Sequence, residues 1–285
     1  MPIPPAILTL LLGMALVLTG LWVGQNVNLL PVDASSNAPI YDELFKVLFS
    51  IGTILFVGIV GLIVYSLVRF RRRSGDLSDG LAIEGNLPLE ILWTAIPAIV
   101  VLFVGIYSYD IYDRMGGMAP LNDHSMHAMH DMQDQRTWAG ISPVSDSDSG
   151  IAPLPVEVTA MQFAFIFHYP QAAITSGELH VPVGQPVALR MTANDVIHAF
   201  WVPQFRLKQD VIPGQPTLLS FTPTRTGSYP IVCAELCGPY HGGMRSTVIV
   251  EDAQTFADWV ARNSPLPPTP TPDSSASTSP NALTT

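Results

Sequence analysis

The chain has 285 residues, enough for one mid-sized domain with additional segments. Charged residues make up 13% and hydrophobic residues 48%, against the quarter or so of charged residues usual in soluble domains; with a mean hydropathy of +0.34 this predicts membrane spans. Thirteen Lys and Arg against 23 Asp and Glu leave a net charge of -10, which argues against nucleic acid, whose phosphates need a basic face, and fits a basic protein partner.

Three apolar runs cover residues 6–23, 47–68 and 89–109, each near the length needed to cross the hydrocarbon of a bilayer. The first lacks the basic residues of a signal peptide and is longer than a typical signal core; a retained span and a cleaved signal both fit residues 1–24, with the span favoured. Residues 25–43 then form an external linker, and 44–110 a transmembrane helical hairpin. Arg69-Phe70-Arg71-Arg72-Arg73 places the link between the second and third runs in the cytoplasm by the positive-inside rule. Everything beyond residue 110 is then periplasmic or luminal. Glu90 opens the third run, followed by Trp93 and Pro97. An acid at that point stabilises a helix N-terminus through the helix dipole, but an ionisable group at the membrane boundary also marks a proton entry.

Residues 111–152 change to Met, His, Asp, Ser and Gly without strand or helix period, and read as a linker. Within it His124, Met126, His127, Met129, His130 and Met132 form a dense run of imidazoles and thioethers, soft ligands suited to a transient copper site. Residues 153–263 carry short strand candidates at 155–169, 187–192, 217–221, 229–233 and 245–250, separated by turn signals such as Val183-Gly184-Gln185-Pro186 and Ile212-Pro213-Gly214. That spacing predicts a β-sandwich or barrel. The Pro, Ser and Thr of residues 264–285 cannot bury enough apolar surface to fold.

The chemistry lies in Cys233-Ala-Glu235-Leu-Cys237-Gly-Pro-Tyr-His241-Gly-Gly-Met244, with His198 upstream in Asp195-Val-Ile-His198. Two cysteines are too few for a disulfide scaffold. A disulfide between them leaves His198, His241 and Met244 unexplained; a two-Cys, two-His zinc gives Met244 no role; a mononuclear blue-copper site leaves one cysteine spare. Thiolate, thioether and imidazole together suit copper, and a dinuclear centre bridged by both thiolates uses every ligand.

These residues, the Leu89-Glu90-Ile-Leu-Trp93-Thr94-Ala-Ile-Pro97 segment and the order of hairpin then β-domain resemble the subunit 2 family of the haem-copper cytochrome c oxidases, over roughly residues 40–110 and 155–262. The wording of Trp201-Val-Pro-Gln-Phe-Arg-Leu-Lys208-Gln-Asp210 is most similar to the cyanobacterial branch. The resemblance implies a membrane-anchored all-β chain with a cupredoxin-like barrel that holds two copper ions, the CuA centre. It implies bridging by Cys233 and Cys237, one copper each for His198 and His241, and weaker axial contacts from Met244 and the carbonyl of Glu235. The Glu235 carboxylate would face a magnesium ion shared with subunit 1, and Glu90 would stand at the mouth of a proton pathway. Implied partners are haem-bearing subunit 1, subunit 3, membrane lipid and a soluble c-type cytochrome or plastocyanin as electron donor. The copper domain would lie outside a plasma or thylakoid membrane.

One departure concerns electron entry. Where the family often carries a Trp-rich strand, this chain has Gln162-Phe163-Ala164-Phe165, so that Phe163, with Phe165 beside it, would form the aromatic landing patch. Two other classes compete. A quinol oxidase subunit shares the architecture but lacks the copper ligands present here, and a copper-delivery protein needs neither the paired spans nor Glu90.

Overall fold

The computed structural model describes residues 4–72, 75, 85–117, 140–141 and 152–265. The Met- and His-rich stretch from His124 to Met132 and the Pro-rich tail from residue 266 lie outside them.

Three helices come first: α1 (Pro5–Asn26), α2 (Ala38–Arg69) and α3 (Leu87–Arg114), each long and apolar enough to cross a membrane. Their outer faces are apolar and exposed, as suits lipid or a partner subunit, while α1 and α2 approach each other at small residues. Gly20 and Gly24 of α1 lie against α2, where a Cβ would collide with Ile54 and Ser50 respectively. Close backbone approach at glycine is a usual way for helices to associate in lipid. Helix α2 begins at Ala38, inside the stretch expected as linker, because Pro39 is well placed in a first helical turn. Its polar first turns do not enter the apolar run; they lie under the β-domain. Ile111 and Met115 at the far end of α3 are buried in the same core as that domain.

The domain is a sandwich of two sheets. One runs in the order β1 (Gly140–Ile141), β9 (Thr217–Phe221), β6 (Val187–Ala193), β2 (Leu154–Met161), β3 (Ala164–Tyr169), β4 (Ile174–Ser176). The other runs β5 (Leu179–Pro182), β11 (Arg245–Glu251), β10 (Gly227–Cys233), β7 (His198–Val202), β8 (Leu207–Val211). Alternate residues point inward, Val156, Val158 and Ala160 on β2 and Phe165, Phe167 and Tyr169 on β3, the period of two that lets each sheet bury one face. Phe165 meets Phe200 of the opposite sheet edge-on at 5.9 Å. The expected strand over 155–169 is two strands, paired antiparallel with Met161 opposite Ala164. The turn at Gln162-Phe163 carries none of the Gly or Asn that marks such turns in sequence.

Helix α4 (Ala253–Asn263) closes the chain against the sandwich. Asp252 caps it, its carboxylate accepting from the amides of Gln254 and Thr255. Trp259 stacks on the ring of His180 at 4.2 Å.

Candidate metal centre

The ligand residues arrive from two neighbouring strands and one loop. Strand β7 opens with His198, and β10 ends with Cys233, the two strands pairing so that Cys233 lies opposite Phe200. The loop that follows carries Glu235, Cys237, His241 and Met244, and is closed on itself where the Cys233 amide donates to the Met244 carbonyl at 3.1 Å. The Ala234 amide donates to the Ala199 carbonyl, also at 3.1 Å. Loop and strand are thereby fixed to each other.

Both cysteines are free and buried. Their sulfurs are 3.8 Å apart. His198 Nδ1 lies 3.9 Å from Cys233 Sγ and His241 Nδ1 lies 3.5 Å from Cys237 Sγ. Met244 Sδ is 3.8 Å from Cys237 Sγ, and the Glu235 carbonyl oxygen 3.3 Å from Cys233 Sγ. Among the described residues, the His198, Cys233 and Cys237 donor atoms form one group within 4.8 Å. Burial foremost, and then the adjoining Cys233 sulfur, push the Cys237 thiol well above its ordinary range.

Asp195 orients the buried histidine. Its Oδ1 lies 2.8 Å from His198 Nε2, leaving Nδ1 turned toward the sulfurs, the arrangement by which outer carboxylates fix metal-binding imidazoles. Burial opposes ionisation of Asp195, but hydrogen bonds from the Gln162 amide, His198 and the Val196 amide outweigh it and hold the carboxyl at about 2.

The β2–β3 turn covers the loop from the other sheet. Gln162 Nε2 donates to the Cys237 carbonyl at 2.6 Å, and the Phe163 ring packs over Gly238, edge-on to exposed Tyr240 at 5.4 Å. Gly238 has φ +134°, and a Cβ there would lie 2.9 Å from Gln162 Nε2 and 3.2 Å from Phe163. Only glycine serves both demands. Phe165, by contrast, is 2% exposed; it belongs to the core between the sheets, so it cannot form part of a landing patch. Gln162 was missed from sequence, and Tyr240, although inside the ligand loop, carried no signal of its exposure.

Glu90 lies far from this centre in the chain, at the start of α3. Asn86 Oδ1 accepts from the Leu89 amide and Glu90 Oε1 accepts from the Asn86 amide, both at 3.2 Å, a reciprocal helix cap.

Two family models match the chain: cytochrome c oxidase subunit II, transmembrane domain, over residues 20–111, and cytochrome c oxidase subunit II, periplasmic domain, over residues 170–252. Cytochrome c oxidase subunit 2 of Synechocystis is 46% identical over 100% of this chain and 89% of its own length. That of Thermostichus vulcanus is 47% identical over 94% of this chain and 88% of its own. The chain belongs to the cytochrome c oxidase subunit II family. Among solved structures, the periplasmic domain of subunit II of cytochrome oxidase from Bradyrhizobium japonicum is 30% identical, with TM-score 0.37, covering 39% of this chain and 92% of that one.

Membership makes the chain a subunit of a haem-copper oxidase complex, held by membrane-spanning helices with a cupredoxin-like domain outside. The family implies copper in that domain, and the soft, buried donor set fits it.

Proposed function

We propose that the chain is the electron-entry subunit of its oxidase, in which Cys233, Cys237, His198 and His241 would hold two copper ions, with Met244 and the Glu235 carbonyl as further, weaker ligands. The observation that carries this reading is the convergence of two thiols, two imidazoles and a thioether at one spot, buried but for the half-exposed His241, with Asp195 turning His198 toward it. Copper held by these residues would supply one-electron chemistry. The chain's part is to keep the ligands still, by the backbone bonds from Cys233 to Met244 and from Ala234 to Ala199, since preorganised groups need little rearrangement when charge moves.

Electrons would come one at a time from a soluble c-type cytochrome or plastocyanin and leave for haem in subunit 1, where oxygen becomes water. Phe163, on the surface of the ligand loop beside Tyr240, is the proposed point of entry. The Glu235 carboxylate would meet a magnesium ion at the boundary with subunit 1. Glu90 would feed a proton pathway from the cytoplasmic side, although its observed bond to the Asn86 amide equally favours a helix cap.

The deciding experiment is electron paramagnetic resonance on the full chain in detergent, loaded with copper. One unpaired electron shared over two coppers is expected. A single-copper pattern, or a silent zinc site, would overturn the assignment.

A further inference from the structure

Arg206 stands at the foot of the metal domain and touches none of the proposed ligands. It follows the short 3-10 turn Pro203–Phe205 and has φ +56°, a left-handed conformation that disfavours residues with a Cβ. Its side chain is 3% exposed. The guanidinium makes four hydrogen bonds: Nε to Asp42 Oδ1 at 2.7 Å, Nη2 to Asp42 Oδ2 at 3.1 Å, Nη2 to the Pro31 carbonyl at 2.7 Å and Nη1 to the Pro203 carbonyl at 2.8 Å. Asp42 lies in the first turns of α2. One side chain therefore joins the β-domain, the segment before α2 and α2 itself. A planar guanidinium gripping a carboxylate in two places fixes orientation as well as distance, which a lysine ammonium does not.

Bonds on either side extend the joint. The Ala34 amide donates to the Gln204 carbonyl at 3.0 Å, the Ser36 amide to the Thr222 carbonyl at 3.0 Å, and the Ser35 hydroxyl to the Phe205 carbonyl at 2.9 Å. Next to Asp42, Glu43 reaches Arg114 of α3 at 3.5 Å. The joint also lies next to the strand that matters. Strand β7 begins with His198 and ends at Val202, just before the turn that presents Arg206, so the ligand stands at one end of a strand about 13 Å long and the anchor beyond the other.

We propose that the Arg206–Asp42 pair is a positioning clamp that sets the height and tilt of the metal domain over the membrane helices, and so the rate at which an electron leaves the centre for the haem of the partner subunit. This rests on the electron-entry reading above. The step concerned moves one electron, oxidising the centre and reducing the haem, with no bond made or broken. Arg206 lies beyond the far end of β7 from His198, past the 3-10 turn, so loosening it changes geometry between subunits and leaves the centre's own properties alone. Reactions that depend on alignment lose rate steeply with displacements of about 1 Å.

The test uses the whole oxidase complex with Arg206→Gln, Arg206→Lys and Asp42→Asn. Three quantities are measured: the spectrum and potential of the copper centre, the rate of its reduction by donor, and the rate of onward transfer to haem after flash reduction. Hydrogen exchange at the Ala34 and Ser36 amides, and at the Thr224 amide, which donates to the Ala34 carbonyl at 3.0 Å, is followed in parallel. The expected result is an unchanged spectrum, potential and donor rate, an onward rate lower by about tenfold or more, and faster exchange at those amides, with Lys rescuing only in part. Parent-like onward rate and exchange in Arg206→Gln would overturn the clamp, as would a shifted copper potential that accounts for the slower rate. If Arg206→Gln does not assemble, Arg206→Lys and Asp42→Asn decide by the same criteria. If the parent complex shows no dinuclear copper signal, the electron-entry reading fails instead, and the exchange data alone judge the clamp as a joint.

Discussion

The carboxylate of Asp195 accepts from two separate parts of the fold at once: Oδ1 lies 2.8 Å from His198 Nε2, and Oδ2 takes the Gln162 amide at 2.7 Å. It joins the ligand strand to the turn that covers the ligand loop. Replacing it by alanine frees the imidazole to rotate and removes its anionic partner. Outer-shell partners of this kind are worth on the order of 10–100-fold in metal affinity. We expect Asp195→Ala to lose affinity in that range and Asp195→Asn to lose less, read by copper titration against a competing chelator. Equal affinity in all three proteins would remove Asp195 from the site.

The thiols and the thioether have unequal roles. Cys233→Ser or Cys237→Ser is expected to abolish the dinuclear centre and oxidase turnover, because a hydroxyl does not bridge copper as a thiolate does. Met244→Leu should keep the metal and shift its potential, since a weak axial ligand tunes such sites. Full turnover in either cysteine variant refutes the bridging assignment; redox titration reads the methionine.

For Glu90 the two readings separate cleanly. Glu90→Gln keeps an acceptor for the Asn86 amide but removes the charge. Assembly and copper content should persist while turnover and proton uptake fall. Undiminished turnover returns the residue to its place in the helix cap.

Helix α4 gives a pH dependence outside the centre. Bonds from the Thr255 amide first, then its hydroxyl, and from the Gln254 amide hold the Asp252 carboxyl below its ordinary range. A group with a depressed folded value stabilises the fold above the unfolded carboxylate pKa and loses that contribution as pH falls through the folded one. The α4 amides should therefore exchange faster as pH drops below about 4, after correction for intrinsic rates. In Asp252→Ala the same amides should be less protected at neutral pH and lack that step.

The ligands were legible because they are close in sequence. Cys233 ends β10 and Cys237, His241 and Met244 follow it in one loop, and Asp195-x-x-His198 is itself a local pair. The spans were legible as apolar runs, and the central strands as Val- and Phe-rich stretches between turns. What escaped were features made by partners far apart. Gln162 bonds to Cys237 across 75 residues and Arg206 to Asp42 across 164, and no pattern local to either end announces them. Helix α4 did leave a signal, Asp252 as cap with Phe256, Trp259 and Val260 at helical spacing, but eleven residues after a strand are easily absorbed into the sheet reading. The edge strands β4 and β5 are too short for alternation to be counted, and in β8 the polar run Lys208-Gln209-Asp210 interrupts it.

The Ser35–Phe205 bond spans 170 residues, and this has a consequence for the order in which the protein is made. Residues 31–42 leave the ribosome early, yet their partners at Gln204, Phe205, Arg206 and Thr222 are synthesised long after both spans of the hairpin. The underside of the domain therefore stays open through most of translation, and closing it is a long-range step of the kind that slows folding. A fragment beginning near residue 151 would lack the closing segment altogether. It would leave the guanidinium of Arg206 without its carboxylate and remove the Ala34 and Ser35 donors from the carbonyls of Gln204 and Phe205. A segment that emerges early is thus the one that completes the domain's underside last.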